Sequence, residues 1–362
     1  MPRPDCSVNR MSETRSRSTT PARTLIGAAA LLAVSVMPAW ARDLSVMLRS
    51  PGLLAPWQTV FIGPFSAATA IPVSPGVWSG GVAALAQQKA PNISWDLVMV
   101  DADELAAGCA SGLFEKLDWT RIGGRDHYLP IAVSDCGVGA LVDNTVLAWD
   151  RDKHPGNPTW ADFWDVTKFP GKRGLRKGVR GNLEIALMAD GVAPGDVYKV
   201  LSTSDGLDRA FRKLDQLRPF LVWWNTPEDA SRILASGDVL MTSAPSAVIV
   251  EAGRAAHRNF AIQWSDSLYD VLSWAALKGS PDLKDAMQFL YFSGTPAIEA
   301  RLPAEAAEGG LAKGADDGLA AGLAAVSPTA GANLKGALRV DNAFWQANLA
   351  KLRQRFDAWM AH

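Results

Sequence analysis

Five cations stand close together in one glycine-punctuated stretch of the chain: Lys172, Arg173, Arg176, Lys177 and Arg180. Guanidinium groups grip carboxylates through paired N–H donors. Arg180 precedes an apolar helical pattern over Asn182–Asp190, and a helix N-terminus adds favourable potential for an anion. Arg180 is therefore a candidate partner for an anionic ligand group. The other reading of the run is a solvated loop or a surface that touches a partner protein. Two aspartates offer the opposite chemistry. Asp101 ends the apolar run Trp95–Val100, where an α/β sheet presents ligand groups, or else it caps the helix that starts near Asp103. Asp135, beside Cys136, can pair an ammonium group or make a hinge hydrogen bond. Aromatic candidates are Trp78, in a loop-like stretch, and the pair Trp223-Trp224. Adjacent strand residues face opposite ways, so one of that pair lines a pocket while the other packs. Trp274 reads as packing within its strand.

Signatures of catalysis are missing. His127, His154, His257 and His362 are scattered, and no His-Glu-x-x-His motif occurs. No Gly-x-Ser-x-Gly elbow is present, Gly171-Lys172-Arg173 does not complete a phosphate loop, and Gly137-Val138-Gly139 lacks the third glycine of a dinucleotide fingerprint. The expectation is a binder with no cofactor and no metal. A periplasmic enzyme on a similar fold is the rival that a turnover screen would detect.

The elements that must position these residues sit in a chain of 362 residues, 48% hydrophobic, with 36 Lys+Arg against 37 Asp+Glu. This balance is globular, and it lacks the basic excess of a nucleic-acid binder. Residues 1–41 read as a cleaved signal peptide: Arg10, Arg15, Arg17 and Arg23 precede the apolar run Leu25–Met37, followed by Ala39-Trp40-Ala41. Met1 and Met11 both remain candidate starts. Export predicts a periplasmic protein and leaves two cysteines, Cys109 and Cys136, in an oxidising compartment. They form either one disulfide or two buried thiols.

Apolar patterning alternates strands with helices. Strands are predicted at Leu44–Leu48, Trp95–Val100, Val138–Val142, Val239–Ser243, Phe260–Trp264 and Trp274–Leu277. Helices are predicted after Thr159, at Asn182–Asp190, along the face Leu207, Phe211, Leu214, Leu217, and at Asp229–Ser236 and Asp282–Phe292. Trp345, Leu349, Leu352, Phe356 and Trp359 form one stripe of a C-terminal helix that docks on the protein's own body. Ala304–Gly331 reads as loose helix and loop. The alternation predicts α/β layers with largely parallel sheets, and a ligand cleft at the carboxyl ends of the strands.

Several blocks resemble the periplasmic solute-binding proteins of ABC importers, in the branch that includes spermidine/putrescine binders. They are Gly108-Cys109 with Gly112-Leu-Phe-Glu-Lys-Leu-Asp-Trp119, Ser134-Asp-Cys-Gly-Val-Gly139, Trp160-Ala-Asp-Phe-Trp-Asp165, Phe169-Pro-Gly-Lys-Arg-Gly174, Asn182–Gly191 and Ala235-Ser-Gly-Asp-Val239. The resemblance implies a two-lobed α/β binding-protein fold with hinge strands: lobe 1 over 42–142 and 270–332, lobe 2 over 143–269 and 333–362. It implies chain crossings near Gly139–Asp143 and Ser265–Ser273, and it supports the Cys109–Cys136 disulfide. It further implies a monomeric carrier that takes a polyamine-like ligand or zwitterionic amine conjugate and delivers it to a permease; a sensor that presents its ligand to a membrane receptor is the alternative. In that branch acidic anchors precede the helix matching Asn182–Asp190, whereas Arg176-Lys-Gly-Val-Arg-Gly181 stands here. A further acid of the branch falls near Leu272.

Overall fold

The computed structural model describes residues 42–89 and 92–361. The expected signal peptide, with Met1, Met11 and Cys6, lies outside the described residues. A single sheet of nine strands runs through the protein in the order β2-β1-β3-β8-β4-β7-β5-β6, with β9 joined to β8. The strands are β1 (Leu44–Leu48), β2 (Val73–Val77), β3 (Leu97–Val100), β4 (Val138–Asp150), β5 (Arg173–Arg176), β6 (Leu221–Trp224), β7 (Met241–Pro245), β8 (Phe260–Ala276) and β9 (Leu338–Arg339). Seven described helices reach eight residues or more: α1 (Ala102–Ala110), α2 (Asn182–Ala189), α3 (Ser204–Leu217), α4 (Pro227–Ser236), α5 (Ser246–Ala256), α6 (Leu283–Ser293) and α7 (Asn342–Met360).

The sheet corrects the expectation of largely parallel pairing. β1 pairs β2 and β3 in parallel, and β5 pairs β6 and β7 in parallel. The centre is antiparallel: β8 lies between β3 and β4, and β4 runs against β7. Two predicted strands near the C-terminal side prove to be one, the 17-residue β8, and Val138–Val142 extends into the 13-residue β4. The intervening segment Ser265–Asp270 is polar and carries no alternating apolar signal. Leu268–Asp270 pair with β4 all the same, whereas Trp264–Ser267 bulge out of that ladder with Asp266 at φ 57°. The β4–β8 ladder shifts register twice, between Gly139 and Leu141 and between Thr145 and Leu147. Such bulges bend a strand.

Apolar side chains gather at both ends of these long strands. At one end Leu44, Val46, Trp57, Phe65, Met99, Val142, Val271, Trp274 and Phe289 share a buried cluster. At the other, Trp149, Phe163, Leu183, Phe211, Leu214, Met241, Trp345, Leu352 and Phe356 share a second. Each fully buried side chain of this size contributes roughly 1.5–3 kcal/mol relative to exposure.

The helices carry the start signals expected of them. Thr159 accepts from the backbone N–H of Asp162, whose carboxylate returns a bond to the Thr159 N–H. Helix α3 buries Phe211, Leu214 and Leu217 on one face, as the spacing predicts. Helix α7 is capped by Asp341 and buries Trp345, Leu352 and Phe356 against the second cluster. Trp359 closes its far end edge-on to Trp223, with the Arg218 guanidinium 4.1 Å from its ring centre. Cys109, in α1, is bonded to Cys136 across 27 residues of chain.

Candidate functional site

A cleft of about 1190 Å³ opens between the two clusters. Its floor belongs to β4 and β8, which place Asp143 directly opposite Asp270. Like charges facing each other across a ladder are destabilising, so this pair needs cations near it. One wall comes from Arg49 and Asp101; the other comes from the loop Arg176–Asn182, from Trp224 and Ser243, and from helix α7.

The cations divide by what they already hold. Arg173 is fully buried and donates to the carbonyl oxygens of Phe163, Phe169 and Gly171 at 2.6, 2.6 and 2.7 Å. Desolvation lowers its pKa to about 10, and its role is to stitch the loop together. Arg49 donates to both oxygens of Glu104 at 3.1 and 3.0 Å and lies 3.5 Å from Asp101. Its guanidinium stands 5.0 Å above the Trp78 ring.

Arg180 reaches three elements at once. It pairs with Asp103 of α1 at 3.6 Å and with Asp270 of β8 at 3.5 Å, and it donates to Oδ1 of Asn342 at the start of α7. Asn342 in turn donates to Asp270 at 2.9 Å. Arg176 differs from these three, as does its neighbour Lys177, which also makes no ion pair among the described residues. Arg176 ends β5, is exposed to the cleft, and makes no ion pair among the described residues.

The carboxylates divide in the same way. Burial pushes the Asp270 carboxyl above its ordinary range, against the pull of Asn342, the Val271 N–H and Arg180. Burial likewise raises Asp103, and Arg180 draws it back. Asp143 is exposed to water from the open cleft, yet the surrounding walls and then the charge of Asp270 push its carboxyl up, against Arg176, Arg180 and Arg49. No cation forms an ion pair with it among the described residues.

The structure distributes the residues expected from sequence. Asp101, Arg180 and Trp224 line the cleft. Asp101 also caps α1, taking the Glu104 N–H at 2.8 Å, so its two readings coexist. Trp224 is buried and its Nε1–H has no hydrogen-bond partner among the described residues. Trp223 does not line the cleft; it packs edge-on against Phe356 and Trp359, on the face opposite its neighbour. Trp78 is a packing residue outside the cleft lining, buried under Arg49 with its Nε1 donating to the Met99 carbonyl at 2.9 Å. Asp135 also stands elsewhere, salt-bridged to Arg125 at 2.9 Å beside a smaller pocket of about 260 Å³ near the disulfide. A loop between two strand-like segments does not reveal which way its aspartate turns.

Asp143, Asp270, Arg49, Arg176, Lys177, Arg353 and Asp357 add to the charged lining, and sequence reasoning did not single them out as contacts. The signal available was position: Asp143 and Asp270 both fall on the expected chain crossings. Asp270 stands two residues before Leu272, on the same face of β8, close to where the resemblance places an acid. Glu184, the first acid after the basic run, is fully buried in the second cluster and accepts from Gly181 N, Tyr198 Oη and Trp345 Nε1 at 2.9, 2.8 and 2.7 Å. It anchors α2 to α7 and does not line the cleft. Among the described residues no cluster of three His, Cys, Asp or Glu side chains could hold a metal ion, and no helix is long and apolar enough to cross a membrane.

A hinged cleft lined by opposed charges on one continuous sheet is the architecture of a solute receptor. Residues 69–305 match the bacterial extracellular solute-binding protein family, and the chain belongs to it. It is 40% identical over 325 residues to a gamma-aminobutyric acid-binding protein of Pseudomonas aeruginosa, covering 89% of this chain and 92% of the relative. An ABC transporter substrate-binding protein of Bradyrhizobium japonicum superposes with a TM-score of 0.77 at 26% identity, over 88% of this chain and 100% of that one. The binding protein MotA of A. tumefaciens B6, solved with glucopine, superposes with a TM-score of 0.74 at 26% identity, over the same shares. The fold is thus that of the two-lobed binding proteins, and the protein is the substrate-binding component of an ABC transporter for a small solute.

Proposed function

We propose that the protein captures a small zwitterionic ω-amino acid of the gamma-aminobutyrate type in the periplasm and hands it to an ABC permease. The observation that carries this reading is that Arg176 on one wall and Asp143 on the floor line the cleft without ion-pair partners among the described residues, as do Lys177, Arg353 and Asp357 at its rim. Arg176 receives the carboxylate through charge-assisted hydrogen bonds, and Asp143 receives the ammonium. Asp270 is already engaged by Arg180 and Asn342, so it sets the potential around Asp143 rather than taking the amine itself. The name of the Pseudomonas relative supports the same class of ligand.

Closure follows from where the groups sit. Asp101 and Arg49 belong to one wall and Arg176 to the other, so a ligand that satisfies both sides favours the closed arrangement of the hinge. A polyamine is the second reading, favoured by the four acids Asp101, Asp143, Asp270 and Asp357 in the cleft. Arg49, Arg176, Lys177, Arg180 and Arg353 line the same space and repel a dication. Calorimetry of the exported protein with gamma-aminobutyrate, putrescine and spermidine decides between them. Binding of the amino acid alone supports the zwitterion reading; tight binding of putrescine without the amino acid overturns it.

A further inference from the structure

The cleft has a second compartment that the charged groups do not explain. Below the loop Arg176–Asn182 its lining turns apolar: Val179, Ile185, Val340, Leu349, Phe356 and Met360. All six belong to, or pack against, the second hydrophobic cluster. The trough therefore lies on the side of the second cluster, beside α2 and α7. Val340, Leu349 and Met360 remain partly open to solvent, while Ile185 and Phe356 form a fully buried base. Partly exposed apolar walls beside a polar ligand cleft gain free energy when a ligand's hydrocarbon covers them. Lys177 and Arg353, both exposed, line the same cleft together with one acid, Asp357, and continue the rim that begins with Arg176, which stays net positive.

Building on the zwitterion reading, we infer that the binding site is made for ω-amino acids with a longer methylene stem than gamma-aminobutyrate: the ammonium at Asp143, the stem along the α2–α7 trough, and the carboxylate at the rim formed by Lys177 and Arg353. Charge complementarity fixes the two ends, and the apolar trough fixes what lies between them. A short amino acid satisfies Asp143 and Arg176 but leaves the trough uncovered.

Calorimetric titration of the full exported chain with gamma-aminobutyrate, 5-aminopentanoate and 6-aminohexanoate tests this. Each methylene that leaves water is worth roughly fourfold in affinity, so 6-aminohexanoate binds about tenfold or more tighter than gamma-aminobutyrate. Affinity that stays level or falls as the stem lengthens overturns the inference and leaves the zwitterion reading standing. Failure of all three to bind overturns the zwitterion reading itself. As a second measurement, Leu349→Ala and Met360→Ala shrink the ratio of the two dissociation constants toward one. Thermal melts verify folding, and a ratio that does not move in folded variants counts against the trough. Should a variant fail to fold, the stem-length series on the unaltered protein still decides.

Discussion

Arg176→Gln is the substitution that most directly separates a binding role from a structural one. Arg176 ends a four-residue strand, its side chain is exposed in the cleft, and it holds no ion pair among the described residues. Its removal breaks no ion pair and takes from the water-exposed Asp143 only a longer-range cationic influence, so the change in folding stability is within about 0.5 kcal/mol, as for exposed charges. Ligand binding responds differently. A hydrogen bond to a charged partner contributes about 1.5–3 kcal/mol, which corresponds to roughly 10- to 150-fold in the dissociation constant. Calorimetry with gamma-aminobutyrate at low ionic strength should show that loss, with an unchanged melting temperature. Arg176→Lys recovers part of it, since the ammonium keeps the charge but not the planar fork. A dissociation constant within twofold of the parent protein in Arg176→Gln would refute the assignment of the carboxylate to this residue.

Three further outcomes follow from the same geometry. Arg180→Ala strips Asp103, Asp270 and Asn342 of a shared partner, so it lowers stability by roughly 1–3 kcal/mol, read as a reduced urea midpoint; an unchanged midpoint would show that the triple contact carries no weight. Glu299 is buried and takes the Ala312 N–H at 2.6 Å, and desolvation raises its pKa to about 7 from 4.5. The folded state therefore binds more protons than the unfolded state between those values, and this group's contribution to stability falls as pH rises through that window. Glu299→Gln accordingly raises the melting temperature at pH 8 and gives no gain at pH 4.5; equal gains at both would contradict the sign. Loss of the Cys109–Cys136 bond, which closes 27 residues, by the double change Cys109→Ala with Cys136→Ala costs about 2–4 kcal/mol in denaturant titrations. Neither residue lines the main cleft, so the dissociation constant stays put.

Several elements were legible without coordinates because their causes are local. Thr159 announces a helix start three residues before Asp162, and the side chains bond as that spacing requires. The stripe from Trp345 to Trp359 sits on one side of a helix whatever surrounds it, and the protein's own second cluster is what it meets. Asn182–Ala189 was visible as a helix, but its apolar content says nothing about its neighbours, and the full burial of Glu184 within it depends on Tyr198 and Trp345 arriving from elsewhere. The long β8 was hidden because a bulge at Trp264–Ser267 interrupts it and the pairing of Leu268–Asp270 comes from β4.

The amino-acid order by itself determined the alternation of elements, the blocks that mark a solute-binding protein, and the presence of a basic loop before α2. Tertiary structure decided which members of that loop are free. Arg173, Arg176 and Arg180 are chemically identical and lie within eight residues of one another. One is sealed among carbonyl oxygens, one is tied to Asp103, Asp270 and Asn342, and one faces the open cleft. A guanidinium's availability is a property of the acceptors within a few ångströms of it, and those come from segments as far away as residues 103, 270 and 342. No spacing rule along the chain carries that information, because the partners meet only when β4 and β8 bring the two halves together.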